Sequence, residues 1–150
     1  MKALIFAAGL GTRLKPLTDT MPKALVPING KPLLEHQILK MKKMGFDHLV
    51  INVHHFADQI IDFLSKNNNF GLKIDISDER NLLLETGGGV KKAASFFTDE
   101  KPFLIHNVDI LSNIDLQSFY TENASKSLIS LLVNQRKTSR YLLFNEEKRL

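Results

Sequence analysis

The chain has 150 residues, 43% of them hydrophobic, with 20 basic and 16 acidic side chains and no cysteine. That length and apolar content suit one folded domain with a real core, and the missing thiols exclude disulfides, zinc–thiolate sites, iron–sulfur clusters and cysteine nucleophiles. The net charge is +4, and all of it lies in residues 1–32, where Lys2, Arg13, Lys15, Lys23 and Lys31 face only Asp19.

A surface that coats a nucleic acid spreads its charge more widely. The concentrated excess points to a compact anion site, with no nucleic-acid partner. No apolar run reaches the roughly 18 residues of a spanning helix, so no membrane partner is expected and the location is read as cytoplasmic.

Residues 2–8 form the first predicted strand. The opening MKALIFAAGLGTRL begins as a signal peptide does, but Gly9, Gly11 and Arg13 interrupt it too early. Residues 9–31 read as one long loop, because four of the five prolines fall between Pro16 and Pro32 and forbid a regular helix or central strand. A loop of that length in a compact domain is usually functional. Pro32 suits the first turn of a helix, on which Leu34, Ile38 and Met41 repeat at helical spacing up to Gly45, its C-cap.

Residues 49–53 are a second apolar strand. Residues 57–66 are a helix with Ile60, Ile61 and Leu64 inward, and 72–76 a strand with Leu72, Ile74 and Ile76 on one face. A short helix follows Gly89 and runs through Phe97. Residues 103–108 are a strand, 115–123 a helix and 127–133 a strand. Residues 141–144 with 149–150 look like the start of a hairpin. A two-residue return strand is too short to stand alone, so the sequence reads as part of something longer.

This alternation implies an α/β fold, Rossmann-like, with a mostly parallel sheet and helices on both faces. In such sheets ligands sit beyond the carboxyl ends of strands. Three features fall there: the 9–31 loop, the segment 77–89, and Asp109.

Gly9 and Gly11 supply the first two glycines of a dinucleotide fingerprint, but Leu14 replaces the third, and Gly30-Lys31-Pro32 fails the P-loop pattern. What remains is physically specific. Glycines let the backbone approach a ligand and offer N–H groups to phosphate oxygens. Arg13 adds a planar charged fork and Lys23 a point-like cation. The alternative is a tight turn with solvated cations. Glu85-Thr86-Gly87-Gly88-Gly89 reads equally as a flexible turn or as a surface for a nucleobase or ribose, with Glu79 or Glu85 accepting from base edge or ribose hydroxyls. Asp109, ending a strand beside a phosphate site, suits Mg²⁺, or else caps a turn. His106 reads as a packing histidine. His54 and His55, placed on a strand, face opposite sides and make a poor metal pair.

The stretch ALIFAAGLGTRLKPLTDTMPKALVPINGKPL at residues 3–33 resembles the signature of the sugar-1-phosphate nucleotidyltransferases. The resemblance continues through LVINVHHFADQI, FGLKIDISDE, LETGGGVKKA and PFLIHNVDI, over about residues 2–145. It is strongest to the short bacterial types, N-acetylmuramate-1-phosphate uridylyltransferase and mannose- or heptose-1-phosphate guanylyltransferase.

The resemblance implies the nucleotide-diphospho-sugar transferase fold and an enzyme that moves a nucleoside monophosphate from an NTP to a sugar 1-phosphate, releasing pyrophosphate. It implies that Gly9, Gly11, Thr12 and Arg13 cradle the triphosphate and that Lys23 contacts phosphate. The main chain near Ala7 and Ala8, with Glu79 and Glu85, Thr86, Gly87 and Gly88, holds base and ribose. Asp109 ligates Mg²⁺, and Arg13, Lys23 and Asp109 form the catalytic set. UTP or GTP is the expected donor. One departure is Val108, where relatives commonly carry glycine; a valine there either narrows the approach to substrate or shifts the strand. The other is length: residues 1–150 read as the nucleotide-binding part of a nucleotidyltransferase domain whose acceptor part is largely missing, so the chain alone is expected to be weakly active or inactive. Two rival functions are a nucleotidyltransferase for a non-sugar phosphate such as phosphocholine, and a non-catalytic nucleotide-binding module. The base, the sugar and a homo-oligomeric state stay open.

Overall fold

A computed structural model of the chain describes residues 1–124, 127–135, 137 and 142–147. Strand β1 (Lys2–Phe6) is followed by three short 3₁₀ turns and then by a small hairpin, β2 (Pro27–Ile28) and β3 (Lys31–Pro32). Helix α1 (Leu33–Lys43), β4 (His48–Val53), α2 (Ala57–Lys66), β5 (Lys73–Asp78), α3 (Glu85–Ala93), β6 (Leu104–Asn107) and α4 (Leu116–Asn123) complete the order.

The four longer strands form one parallel sheet in the order β5-β4-β1-β6. Parallel strands covered on both faces are near-continuous apolar runs, and all six residues of β4 are buried, the polar His48 and Asn52 among them. Ala3, Ile5, Leu49, Ile51 and Val53 pack on one face with Leu34 and Ile38 of α1, Ile60 and Leu64 of α2, and Leu116 of α4. Leu4 and Val50 pack on the other with Ala93 of α3 and a rim of Phe6, Val90, Phe96, Phe97 and Phe103. Phe97 and Phe103 stack there with ring centres 3.9 Å apart.

Helix α2 has the predicted limits. Ile60 and Leu64 are buried, while Ile61 is only half-buried. Helix α1 starts one residue after Pro32 and ends before Gly45, which has φ 81° as a C-cap position requires. Helix α4 begins after Asp115, whose carboxylate accepts from the N–H groups of Gln117 and Ser118.

Four predicted features are corrected. The 9–31 segment is not one open loop, since 3₁₀ turns and the β2–β3 hairpin lie within it. Asn29 (φ 49°) and Gly30 (φ 78°) make that two-residue hairpin, which is the strongest short-range turn signal a sequence carries. The helix predicted to follow Gly89 starts earlier, at Glu85, so Gly87, Gly88 and Gly89 are helical. Glycine is a poor helix former, but a Cβ on Gly89 would sit 2.9 Å from Phe6 Cε1 and 3.0 Å from Glu79 Oε1, so close packing requires it. Residues 127–133 carry no strand, and Leu128 and Ile129 are exposed. Apolar alternation does not make a strand without a neighbour to complete its ladder. Residues 142–144 are likewise irregular, and Tyr141, Arg149 and Leu150 of the predicted hairpin lie outside the described residues.

Candidate functional site

From β1 the chain adds β4 and then β5 on one side of the sheet, and crosses to β6 on the other. Strands β1 and β6 are parallel neighbours at the point where the strand order reverses, so their carboxyl ends lie side by side in the region where open α/β sheets hold ligands. The 9–31 segment leaves β1 there, and Asp109 lies two residues past β6.

Gly9 and Leu10 are exposed at the start of this segment. Gly11 has φ 67° and accepts at its carbonyl from the Leu14 N–H at 2.8 Å and from Thr18 Oγ1 at 2.9 Å. A Cβ at Gly11 would meet Thr18 Cγ2 at 2.8 Å and Lys23 Cβ at 3.0 Å. Thus Gly11→Ala combines a left-handed backbone penalty of about 1–2 kcal/mol with a clash against a locked turn. Urea unfolding is expected to show a loss of about 2 kcal/mol or more. An unchanged midpoint would mean that the turn is not locked.

Lys23 opens the third 3₁₀ turn, Lys23–Leu25, fixed in approach by the extended backbone of Pro22. Its Nζ donates to Asp109 Oδ2 at 2.8 Å, joining positions 86 residues apart. The same ammonium lies beside Gly9, 3.7 Å from where a Cβ would stand. Burial pushes the Asp109 carboxyl up, but the Lys23 hydrogen bond, the Lys23 charge and the Arg13 charge outweigh it and hold the group below its ordinary value. Asp109 is therefore ionised at neutral pH. Its pairing is present above the ordinary carboxylate range and is lost as pH falls through the lowered value. The structure thus gathers Gly9, Gly11, Lys23 and Asp109 at one crevice, with exposed Arg13 close enough for its charge to act on Asp109.

Val108 is buried in the core and donates its N–H to the Phe6 carbonyl at 3.1 Å. It narrows nothing in the crevice. His106, on the adjoining strand, is a buried packing histidine whose Nδ1 has no hydrogen-bond partner among the described residues. Burial lowers its pKa below the ordinary 6.5 and Lys40 adds to this, against weaker opposition from the Asn107 backbone and Asp109. A lowered folded-state pKa stabilises above the unfolded value, and that stability is lost on acidification. We expect His106→Leu to flatten the loss of stability below pH 6.5, by at most about 1.4 kcal/mol per pH unit. Parallel pH series of unfolding curves would check this; identical slopes for both proteins would refute it.

The second wall begins at Asn52, a buried polar residue on β4. Its Oδ1 accepts from the N–H groups of Ala7 at 2.7 Å and Ala8 at 3.2 Å. Its Nδ2 donates to Glu79 Oε1 at 3.0 Å, and Glu79 Oε2 accepts from the Leu84 N–H at 3.2 Å. Glu79 is only 1% exposed. This corrects the expectation that its carboxylate meets a base edge or ribose: both oxygens are already engaged inside the protein. Glu85, Thr86 and Gly87 are exposed at the start of α3, and Gly88 is half-buried against Leu84. Glu85 has φ 58°, a strained value for a residue with a side chain.

His54 and His55 follow β4 directly. His54 Nδ1 bonds the Glu79 carbonyl oxygen at 2.7 Å, and the His55 ring packs on Phe56. Asn52 and Thr18 were not singled out from the sequence. Asn52 alone carried a signal, as the one polar residue inside the apolar run LVINV.

The chain thus carries a parallel α/β sheet with a glycine-bearing loop, two cations and an ionised carboxylate beyond its strand ends, the region where open α/β sheets hold ligands. The chain belongs to the nucleotidyl transferase family, whose model matches residues 2–142. It is 40% identical over 125 residues to the N-acetylmuramate alpha-1-phosphate uridylyltransferase of Neisseria meningitidis serogroup B, covering 83% of this chain and 54% of that protein. The crystal structure of HddC from Yersinia pseudotuberculosis complexed with GMP-PN matches with a TM-score of 0.73 and 33% identity, over 83% of this chain and 54% of that one. The CTP:phosphocholine cytidylyltransferase of Streptococcus pneumoniae, LicC, matches with a TM-score of 0.58 and 31% identity, over 75% of this chain and 47% of that one. The chain spans about half the length of these relatives.

Proposed function

We propose that the protein carrying this chain transfers a nucleoside monophosphate from an NTP to a sugar 1-phosphate, giving an NDP-sugar and pyrophosphate. The observation that carries this reading is the Lys23–Asp109 pair, set beside Gly9 beyond the carboxyl ends of the neighbouring strands β1 and β6. UTP and GTP are the favoured donors, because the Neisseria relative is by name a uridylyltransferase and HddC was complexed with GMP-PN.

A phosphate monoester with a second pKa of about 6 is largely dianionic at neutral pH. Its oxygen attacks the α-phosphorus directly. The new P–O bond forms as the bond to the bridging oxygen breaks, and pyrophosphate leaves with that electron pair. No proton has to be removed, so the protein's task is positioning and charge neutralisation. In this reading Gly9, Gly11 and Thr12 present the backbone to the triphosphate, and Arg13 and Lys23 neutralise it. The main chain of Ala7 and Ala8 and the segment from Glu85 to Gly88 bound the base and ribose.

Asp109 fits Mg²⁺, which takes one or two carboxylates and completes its shell with water and substrate phosphates. The carboxylate is ionised and 40% exposed. No group of three or more His, Cys, Asp or Glu occurs among the described residues, so a dedicated protein cage is not what is offered. When bound, the ion would add charge neutralisation at the phosphates.

The likeness to LicC supports a second reading, with phosphocholine as acceptor. Pyrophosphate release distinguishes the two. Four NTPs are each supplied with Mg²⁺ and either a panel of sugar 1-phosphates or phosphocholine. Release from one NTP that requires a sugar 1-phosphate is expected. Release with phosphocholine alone selects the second reading, and nucleotide binding without turnover on any acceptor leaves a binding module.

A further inference from the structure

We infer that Asn52 and Glu79 are positioning residues for the nucleoside, acting through the backbone on either side of it without touching it. This rests on the nucleotide reading above. The hydrogen-bond chain runs in one direction only. The N–H groups of Ala7 and Ala8 must face an acceptor, which fixes the oxygen side of the Asn52 amide. The amide nitrogen must then face another acceptor, Glu79 Oε1, and the Leu84 N–H needs a further one, Glu79 Oε2. Position 79 must therefore accept at both oxygens, which a carboxylate does and a carboxamide does not.

The ends of this chain are the places where a nucleoside would be held. Ala7 and Ala8 begin the segment leaving β1, and Leu84 immediately precedes Glu85 at the start of α3. Four hydrogen-bonding side-chain atoms, on two buried residues, thus set the spacing between two walls. Gly89 closes the arrangement from the other side. A Cβ there would lie 3.0 Å from Glu79 Oε1 and 3.3 Å from Asn52 Nδ2, pressing on the hydrogen bond itself. The strained φ of Glu85 is held next to the Leu84 anchor, as expected where surrounding structure over-determines a functional loop.

The test compares wild type with Glu79→Gln, Asn52→Ala and Gly89→Ala, measuring KM for NTP and for sugar 1-phosphate separately, with direct titration by UTP and GTP. Each variant is expected to raise the NTP KM and Kd about tenfold, with the sugar-phosphate KM unchanged. Equal NTP affinity in all four proteins would overturn the inference, as would parallel rises in both KM values. Should a variant unfold, amide exchange at Ala7 and Ala8 in Glu79→Gln gives the second readout: faster exchange is expected, and wild-type protection would overturn the inference. If wild type itself binds neither nucleotide, the nucleotide reading fails first, and that result is distinct from a variant that matches a binding wild type.

Discussion

Replacing Asp109 by alanine is expected to reduce turnover about a thousandfold or more while leaving the fold nearly intact. The magnitude is that of removing one electrostatic contact aimed at the reacting charge. Asp109 is 40% exposed and its hydrogen-bond partner is Lys23. A half-exposed ion pair of this kind contributes about 0–1 kcal/mol to stability, so the melting curve should barely move. Nucleotide binding in metal-free buffer should survive, because the variant still carries Arg13 and frees Lys23 from its carboxylate. Single-turnover rates and thermal melts on the same preparations test this. Wild-type activity in Asp109→Ala would remove the residue from the mechanism.

Lys23→Ala is expected to lower kcat/KM about a hundredfold, and Lys23→Arg should not restore it. Lysine is a compact charge on a thin stem, and its stem passes where a Cβ on Gly11 would be 3.0 Å away while its Nζ sits beside Gly9. A planar guanidinium is broader and directs its donors differently. The alanine variant also leaves Asp109 without its ammonium, so the carboxyl should rise toward its ordinary value, and any activity loss on acidification should begin at higher pH. Steady-state kinetics across a pH series checks both points. Full activity in Lys23→Arg would show that only a positive charge is needed.

The sheet and its helices were legible because their signals are periodic. Helix α2 was readable from Ile60 and Leu64, α1 from Leu34, Ile38 and Met41 before Gly45, and the strands from apolar runs that two-sided burial demands. Asn29-Gly30 was readable in principle, and the surrounding prolines masked it. The start of α3 was not, because propensity argues against three consecutive glycines in a helix while close packing on Phe6 and Glu79 demands the last of them. The strand predicted at 127–133 failed for the same general reason: pairing is a property of neighbours and not of one segment.

Of the expected site residues, the structure brings Gly9, Gly11, Lys23 and Asp109 together with Arg13 near by, and these are the positions on which chemistry and motif agree. Glu79 was found but given the wrong contact. Nothing in the sequence shows that Asn52 and Leu84 will occupy its oxygens, since both partners are distant along the chain or ordinary backbone. Thr18, which locks Gly11, is equally silent in the sequence.

Phosphorus NMR of the complete reaction is the most direct test of attack on an α-phosphorus by a sugar phosphate at this crevice. The protein, Mg²⁺, UTP or GTP and a sugar 1-phosphate should convert the NTP and monoester signals into a coupled diphosphate pair and pyrophosphate in equal amounts, and Asp109→Ala should leave the spectrum unchanged. Appearance of orthophosphate with the sugar 1-phosphate signal intact would contradict the proposed transfer.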